Sequence, residues 1–229
     1  MIKIAVNGAA GRMGTRILAL ADASKEYSVA GAFDENGSGR VSAEALSKKG
    51  KGVLIDFSSP DGTLLALEAA SGAGWGLVVG TTGLGGKVQR ALSEARREIP
   101  IVYSANMSVG INLVLELLKL VSSKLPKGFA VKITEAHHVH KKDAPSGTAL
   151  MLSAAAQKAM RSRQKIDIQS IREGEIVGDH TVLFSGPAET IEITHRAQSR
   201  DAFARGALLA ARFAASAKPG LYSMADVLA

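Results

Sequence analysis

Short apolar runs alternate with helical patterns through the first half of the chain, and this alternation limits the chain to an α/β fold. The apolar runs occupy residues 2–6, 27–33, 53–57, 77–79 and 99–103. The run at 53–57 is almost continuously apolar, as expected of a parallel strand that is buried on both faces. Helical patterns at residues 15–23, 61–70 and 86–98 separate the runs. The alternation predicts a Rossmann-like, doubly wound parallel sheet.

A glycine-rich loop follows the first run and opens the first helix. It reads Asn-Gly-Ala-Ala-Gly-Arg-Met-Gly at residues 7–14, with the spacing Gly-x-x-Gly-x-x-Gly. Asp34 ends the second run, where a carboxylate can meet the ribose hydroxyls of a dinucleotide. Alone, the loop is almost as typical of a structural turn. Strand, loop, helix and acid together predict dinucleotide binding. The contacts predicted here are Gly8, Ala9, Ala10, Gly11, Arg12, Met13 and Asp34.

The most unusual stretch lies at residues 135–148 and reads Glu-Ala-His-His-Val-His-Lys-Lys-Asp-Ala-Pro-Ser-Gly-Thr. It joins a strand-like segment, 129–134, to a helical one, which is clearest at 149–160 and is expected to extend to about residue 163. Ser146 and Thr148 are typical of a helix N-terminus, which offers free N–H donors to a carboxylate or phosphate. Histidine and lysine can supply protons near neutral pH. The stretch predicts a proton-donating, anion-binding pocket.

Plainer interpretations of the same stretch stay open. A Ser-x-Thr start can be only a helix cap, and a His-x-Lys run can be only a solvated loop. The His-His-x-His cluster could ligate a metal ion. No cysteine and no tight carboxylate cluster accompany it, so no metal site is predicted.

Taken whole, the stretch resembles the substrate loop of the dihydrodipicolinate reductase family. The family pattern Glu-x-His-His-x-x-Lys-x-Asp-Ala-Pro-Ser-Gly-Thr-Ala is met at every fixed position, and the glycine loop and Gly80-Thr81-Thr82-Gly83 also match family patterns. The resemblance covers essentially the whole chain. It implies that His137 and Lys141 are the catalytic proton donors and that the substrate is held by His138, Gly147 and Thr148. The further cofactor contacts that it implies are Gly80, Thr81, Thr82, Ser104, Ala105, Asn106 and Met107.

The implied reaction is the NADH- or NADPH-dependent reduction of 4-hydroxy-tetrahydrodipicolinate to tetrahydrodipicolinate, on the diaminopimelate route to lysine. The substrate is a cyclic unsaturated imine that bears two carboxylates. Asp34 is followed by Glu35, where many family members have arginine. Two carboxylates repel a 2′-phosphate, so we expect NADH to be preferred and NADPH to remain usable. Arg12 or Arg40 could offset this repulsion.

The second half of the chain predicts a separate, smaller α+β domain. Residues 166–176, 180–185 and 190–196 alternate apolar and polar side chains and predict an open antiparallel or mixed sheet. We expect the dinucleotide domain at 1–107 with 201–229, and the substrate and oligomerisation domain at 108–200. The uncovered face of the second sheet could pair with another subunit, and the resemblance implies a homotetramer. His180 and His195 are expected on the strand surface.

Composition narrows the possible partners. The net charge is +7, but the basic residues are scattered and aromatic residues make up only 4%, so no nucleic acid is expected. No apolar run is long enough to span a membrane, and no signal peptide or cysteine is present, so a cytoplasmic protein is expected. Two other classes remain open, a dinucleotide-binding regulator that needs no Lys141 and a different dehydrogenase with its own substrate loop.

Overall fold

The computed structural model describes residues 1–35, 39–126, 128–160 and 165–229. The chain divides into two compact units, which we call unit 1 (Met1–Val109 with Phe203–Ala229) and unit 2 (Gly110–Ala202). The assignment of cofactor binding to 1–107 with 201–229, and of substrate binding and oligomerisation to 108–200, stays a prediction.

Unit 1 is built on a six-stranded sheet in which every neighbouring pair is parallel. With elements numbered along the whole chain, its strands are β1 (Ile2–Asn7), β2 (Tyr27–Phe33), β3 (Val53–Asp56), β4 (Gly76–Val79), β5 (Pro100–Tyr103) and β10 (Gly220–Tyr222). Their order is β10-β5-β4-β3-β1-β2. The chain moves from β1 to β2 on one side and returns to β3 on the other, so the switch point lies between β1 and β3. Ligands bind at such a point, beyond the carboxyl ends of the strands.

Helices cover both faces of this sheet. They are α1 (Arg12–Asp22), α2 (Ala43–Ser47), α3 (Pro60–Ala73), α4 (Gly86–Ala95), α7 (Asp201–Ala214) and α8 (Met224–Leu228). One core contains Ile4 and Val6 of β1 together with α1 and α7, and the other contains Ala5 together with α3 and α4. Successive strand residues therefore face opposite cores, as expected of strands buried on both sides.

Unit 2 is a four-stranded mixed sheet with two helices on one face. Its elements are α5 (Val109–Lys124), β6 (Ala130–His137), α6 (Gly147–Met160), β7 (Asp167–Arg172), β8 (Gly178–Ser185) and β9 (Thr190–Ala197). The order is β7-β6-β8-β9, with β6 and β7 parallel and the other pairs antiparallel. Side chains of α5 and α6 pack on Ile133, Val182 and Phe184. The predicted fold class, a Rossmann-like sheet with a smaller α+β part, is confirmed.

Several details differ from the sequence-based expectations. The strand expected at 166–176 ends at Arg172, because Glu173 begins a turn in which Gly174 has a φ of 49°. His180 was expected at the surface but is buried, 4% exposed, on the face that α5 and α6 cover. The short edge strand β10 and helix α8 had no predicted counterpart. Residues 161–163 of the helix expected at 149–163 lie outside the described residues.

Candidate functional site

In unit 1, the carboxyl ends of β1, β2 and β3 surround a pocket of about 240 Å³. Three of the predicted cofactor residues line it, namely Gly8, Gly11 and Asp34. The other lining residues are Asn7, Glu35, Arg40, Val41, Phe57, Ser58, Ser59, Gly62 and Leu65. The pocket therefore lies at the switch point, where an α/β sheet of this order binds its ligand.

The glycine loop is packed too closely to accept side chains at two of its positions. Gly8 has a φ of 79°, and a Cβ there would lie 2.3 Å from the carbonyl oxygen of Phe57. A Cβ on Gly14 would lie 2.2 Å from the carbonyl oxygen of Gly8. Helix α1 is thereby brought directly against the end of β1, which is the close packing that a dinucleotide loop requires.

The start of α1 has features that suit a phosphate group. Gly11 is the N-cap and supplies no side-chain hydrogen bond, and the first turn contains no acidic residue. The free N–H groups and the helix dipole therefore favour an anion at this end. Beside it, Oδ2 of Asp34 accepts a hydrogen bond from the N–H of Ala10 at 3.0 Å. A pyridine dinucleotide fits this set of groups, with phosphate at the helix start and ribose near Asp34.

The remaining predicted residues of the loop have different surroundings. Ala9 is buried in the core, and Met13 packs against the same core. Ala10 and Arg12 are exposed. Among these residues, Ala9 contributes packing and its backbone N–H, which donates to the carbonyl of Phe33 at 3.0 Å.

A buried carboxylate, Asp56, joins the loops that surround this pocket. Its Oδ1 accepts from Nδ2 of Asn7 at 2.7 Å and from Oγ of Ser58 at 2.6 Å. Its Oδ2 accepts from Oγ1 of Thr63 at 2.6 Å and from Oγ1 of Thr81 at 2.8 Å. These four partners come from the ends of β1, β3 and β4 and from the start of α3, so one side chain ties four segments together.

Thr81 belongs to the predicted Gly80-Thr81-Thr82 turn and is 5% exposed. Its hydroxyl donates to Asp56 and accepts from the N–H of Ser58 at 3.0 Å. Gly80 donates its N–H to the carbonyl of Asp56 at 2.9 Å, whereas Thr82 is exposed. The turn is therefore fixed to the end of β3, and its exposed part begins at Thr82.

The segment Ser104-Ala105-Asn106-Met107 follows β5 and is held by its own side chains. The hydroxyl of Ser104 donates to the carbonyl of Asn106 at 2.8 Å, and Oδ1 of Asn106 accepts from the N–H of Ser108 at 2.8 Å. Ala105 is exposed, and Met107 is buried in the core of unit 1. The backbone of Met107 lies so close to α7 that a Cβ on Gly206 would stand 1.7 Å from its carbonyl oxygen.

In unit 2, His137 forms a short hydrogen bond with a buried carboxylate. Its Nδ1 lies 2.5 Å from Oε2 of Glu135, whose side chain is fully buried. Burial alone would raise the pKa of Glu135, but hydrogen bonds from Arg172, Ser170 and His137 lower the pKa to about 2. Because the carboxylate is ionised and can only accept, Nδ1 of His137 carries the proton.

The opposite ring nitrogen of His137 lies beside Gly178, where a Cβ would stand 3.1 Å from Nε2. Burial lowers the pKa of His137 below its usual value, more than the hydrogen bond and negative charge of Glu135 raise it, and the nearby positive charge of Lys141 lowers it further. The imidazole is therefore neutral at neutral pH, with its lone pair on Nε2.

Lys141 lies in the irregular segment between β6 and α6. Its Nζ is 2.8 Å from Oδ1 of Asp143, and its side chain is 23% exposed. The hydrogen bond from Lys141 lowers the pKa of the Asp143 carboxyl. The positive charge of Lys141 also lowers the pKa of His137, so the lysine lies near enough to the imidazole to act on it electrostatically.

His138 is the first residue after β6. Its N–H donates to the carbonyl of Ile176 at 2.7 Å, which holds the turn against the segment that leads into β8. Nδ1 of His138 is buried and has no hydrogen-bond partner among the described residues. A buried donor or acceptor without a partner is costly, so this nitrogen is suited to receive a ligand.

Helix α6 begins at Gly147, and Ser146 serves as its cap. Oγ of Ser146 accepts from the N–H of Ala149 at 3.2 Å, and Nε2 of His180 lies 3.3 Å from the same oxygen. Gly147 is exposed and Thr148 is half-buried at the first turn. Two of the three predicted substrate residues, Gly147 and Thr148, thus lie at the start of α6. This helix has fourteen residues, and its dipole favours a carboxylate at this end.

Sequence reasoning missed three residues of this site, namely Glu135 as a site residue, Arg172 and His180. His180 packs edge-on against His137, with ring centroids 5.2 Å apart. Glu135 could have been found, because residues two apart on a strand share a face and His137 was already a candidate. Arg172 gave no such signal, since it reaches the site only through the pairing of β6 with β7.

The described residues contain no group of three or more His, Asp and Glu side chains placed to hold a metal ion. Within the same residues, no helix is both long enough and apolar enough to cross a membrane.

Comparison with known proteins decides the family. A family profile described as "Dihydrodipicolinate reductase, N-terminus" matches residues 2–107, and one described as "Dihydrodipicolinate reductase, C-terminus" matches residues 110–228. The chain belongs to the dihydrodipicolinate reductase family. Among curated relatives, the 4-hydroxy-tetrahydrodipicolinate reductase of Anaeromyxobacter dehalogenans is 40% identical, over 100% of this chain and 98% of the relative. The enzyme of the same name from Burkholderia mallei is 41% identical, over 99% and 98%.

Solved structures agree with the family assignment at the level of the fold. The dipicolinate-bound dihydrodipicolinate reductase of Paenisporosarcina sp. TG-14 superposes with a TM-score of 0.84 at 20% identity, covering 97% of each chain. The diaminopimelate dehydrogenase of C. glutamicum superposes less well, with a TM-score of 0.59 at 10% identity, over 100% of this chain and 95% of that one. The likeness to the reductase structure therefore includes both the Rossmann-like sheet of unit 1 and the mixed sheet of unit 2.

Proposed function

We propose that this chain reduces 4-hydroxy-tetrahydrodipicolinate to tetrahydrodipicolinate in the diaminopimelate pathway of lysine biosynthesis. The observation that carries the proposal is that both family profiles and curated relatives of this name match the chain over its length. The pocket beside the glycine loop in unit 1, and the presence of His137 and Lys141 in unit 2, support it. The enzyme is an NAD(P)H-dependent oxidoreductase that acts on a small dicarboxylate.

The residues of unit 1 would hold the pyridine nucleotide. The start of α1 would bind the pyrophosphate, and Asp34 would accept hydrogen bonds from the ribose. The predicted contacts at Gly80, Thr81 and Thr82, and at Ser104, Ala105, Asn106 and Met107, remain part of this proposal. When bound, the nicotinamide supplies a hydride.

The residues of unit 2 would bind the substrate and protonate it. The start of α6, with Gly147 and Thr148, offers N–H groups to one carboxylate. Nδ1 of His138, which has no hydrogen-bond partner in the described part of the chain, would bind a polar group of the substrate. Hydride addition leaves an enamine-like carbanion, and a positioned group must protonate it.

Of the two predicted proton donors, we assign delivery to Lys141. His137 is neutral, with its proton shared with Glu135, and its side chain is only 10% exposed. Its Nε2 can pass on a proton but holds none of its own in this state. The ammonium of Lys141 is more exposed and carries protons to give. His137 would then orient the reacting group and take part in the transfer.

Replacement of the proposed proton donor tests this function. The substrate, 4-hydroxy-tetrahydrodipicolinate, is supplied as the product of the synthase that precedes this step in the pathway. With this synthase product the wild type should oxidise NADH. Lys141→Ala should lower kcat by about 10²–10⁴-fold, which is the range for loss of a positioned acid. The neighbouring exposed residue offers a matched control, Lys142→Ala, which should keep kcat. A normal kcat with a raised KM in Lys141→Ala would mean that this lysine only attracts carboxylates.

The wild-type assay also separates the two alternative classes. A regulator would bind NADH without oxidising it, and a different dehydrogenase would leave the synthase product unused. The preference for NADH over NADPH, a homotetramer formed through the uncovered face of the second sheet and a cytoplasmic location stay predictions from the sequence.

A further inference from the structure

Arg172, the last residue of β7, uses all of its N–H groups. Nη1 donates to Oε2 of Glu135 at 3.1 Å and to the carbonyl of Ile171 at 2.7 Å. Nη2 donates to Oε1 of Glu135 at 2.9 Å and to the carbonyl of Asp143 at 2.5 Å. Nε donates to the carbonyl of Lys141 at 3.3 Å. A guanidinium has five N–H donors in one plane, so each has a partner within unit 2.

The carboxylate of Glu135, which Arg172 holds in place, also accepts hydrogen bonds from two other parts of the site. Its Oε2, already bonded to Arg172, also accepts from Nδ1 of His137 at 2.5 Å. Its Oε1 also accepts from the N–H of Ser146, the cap of α6, at 3.2 Å. One guanidinium is thus connected to His137, to the segment that carries Lys141 and to the helix start.

Stability alone does not explain this pair. The Glu135 side chain is fully buried and that of Arg172 is 19% exposed. Replacing a buried ion pair by apolar residues is often neutral or stabilising, so such a pair is weak grounds for a purely structural role. A lysine would supply the charge but not the planar fork that spans one carboxylate and two carbonyl groups. The distinctive contribution of Arg172 is therefore orientation.

We propose that Arg172 is a positioning residue for the reduction. Through Glu135 it fixes the His137 ring with the proton on Nδ1, and through the carbonyls of Lys141 and Asp143 it fixes the segment from which Lys141 acts. This inference rests on the proposed function, because it concerns the two proton-donating residues named there. Arg172 itself has no donor left with which to bind the substrate.

The first test is Arg172→Lys, which keeps the charge and removes the fork. We expect kcat with the synthase product to fall about 10²-fold, the size of effect that a displacement of about 1 Å can have. The KM for NADH should not change, because the proposed cofactor residues lie in unit 1. The matched control is Arg196→Lys on β9 in the same sheet, where the arginine is 69% exposed and lies 3.6 Å from Asp179. It should keep wild-type kcat.

The second test reads the ring of His137 directly and does not depend on turnover. The chain has only five histidines, so their imidazole ¹⁵N resonances can be assigned one by one. In the wild type, His137 should carry its proton on Nδ1. In Arg172→Lys, and in the nearly isosteric Glu135→Gln, the acceptor at Nδ1 is displaced or weakened, so the fraction protonated on Nε2 should rise.

The outcomes separate the two proposals. A wild type that does not oxidise NADH with the synthase product would refute the proposed function, and with it a role for Arg172 in that reaction. An active wild type whose two variants keep both kcat and the Nδ1 proton would refute the positioning role alone. If Arg172→Lys does not fold, Glu135→Gln decides, because it leaves every backbone contact of Arg172 in place.

Discussion

Two fully buried carboxylates, one in each unit, are held by different kinds of partner. Asp56 in unit 1 accepts four hydrogen bonds from neutral groups, an amide and three hydroxyls. Glu135 in unit 2 is bonded to a guanidinium, an imidazole and a backbone N–H. Neutral donors can fix the shape of a binding site, whereas partners that carry or exchange protons also set its charge. The proposed nucleotide site in unit 1 is thus organised for shape, and the proposed substrate site in unit 2 for proton transfer.

The largest effect that we expect from this contrast is on the stability of unit 1. Asp56→Ala removes the acceptor of four hydrogen bonds, each worth about 0.5–1.5 kcal/mol net. Asn7, Ser58 and Thr63 keep weaker backbone acceptors, whereas the buried hydroxyl of Thr81 loses the carboxylate to which it donates. We expect the free energy of unfolding to fall by about 3–5 kcal/mol in denaturant titrations.

The matched control for Asp56→Ala is Glu68→Ala, an exposed acid in the middle of α3. It should change the free energy of unfolding by less than about 0.5 kcal/mol. If the free energy of unfolding fell by the same small amount in both variants, Asp56 would not stabilise the junction between the loops that its contacts indicate.

The next largest effect is a pH dependence of stability that we expect in unit 2, where His180 is buried. Burial lowers the pKa of His180 to about 4 from its usual 6.5, with a smaller contribution from His137 when that ring is protonated. The unfolded chain therefore binds a proton at this residue between pH 6.5 and 4 that the folded chain does not, and stability falls as the pH falls through this window. The loss should reach up to about 3 kcal/mol at the acid end.

The comparison that checks this pH effect is the wild type against His180→Gln. The variant should lose less stability between pH 6.5 and 4, and hydrogen exchange should place the difference in unit 2. An identical pH dependence in both proteins would show that His180 does not resist protonation in the folded state.

The smallest effect concerns Asp34, a half-buried carboxylate that lines the pocket, in contrast to Asp56 beneath it. With Glu35 beside it, Asp34 should disfavour the 2′-phosphate of NADPH by about 1–2 kcal/mol, which is roughly ten- to thirtyfold in kcat/KM. The double replacement Asp34→Ser with Glu35→Arg should narrow or reverse the gap without changing the unfolding midpoint. Equal use of both cofactors by the wild type would indicate that Arg12 or Arg40 determines the choice.

The sequence was sufficient for the parts of the site that lie close together along the chain. Strand, glycine loop and helix within residues 2–23 predicted the pocket region, and the stretch at 135–148 predicted the start of α6. That this helix start binds an anion stays a prediction. Asp56 and Arg172 could not be predicted as junctions, because their partners lie up to 49 and 37 residues away and depend on strand order and register.

His180 is a different case, since the necessary signal was present in the sequence. Val182 and Phe184 follow it at intervals of two, so all three residues share one face of β8. Two large apolar side chains indicate that this face is buried. His180 shares the face and should have been assigned to the buried side. The expected surface position was therefore wrong because the alternating residues of β8 were assigned to the wrong faces, although the sequence contained the information to assign them correctly.

The close approach of Gly206 to Met107 has a consequence for the order of synthesis. Helix α7 completes the core of unit 1 only after residues 110–202 have been made, so a growing chain emerges with β1 to β5 lacking one of their covering helices. Unit 2 is the first part to emerge with all of its elements. The apolar surface of the first hundred residues therefore stays exposed until α7 has been synthesised. A chaperone would find the largest exposed apolar surface during this interval.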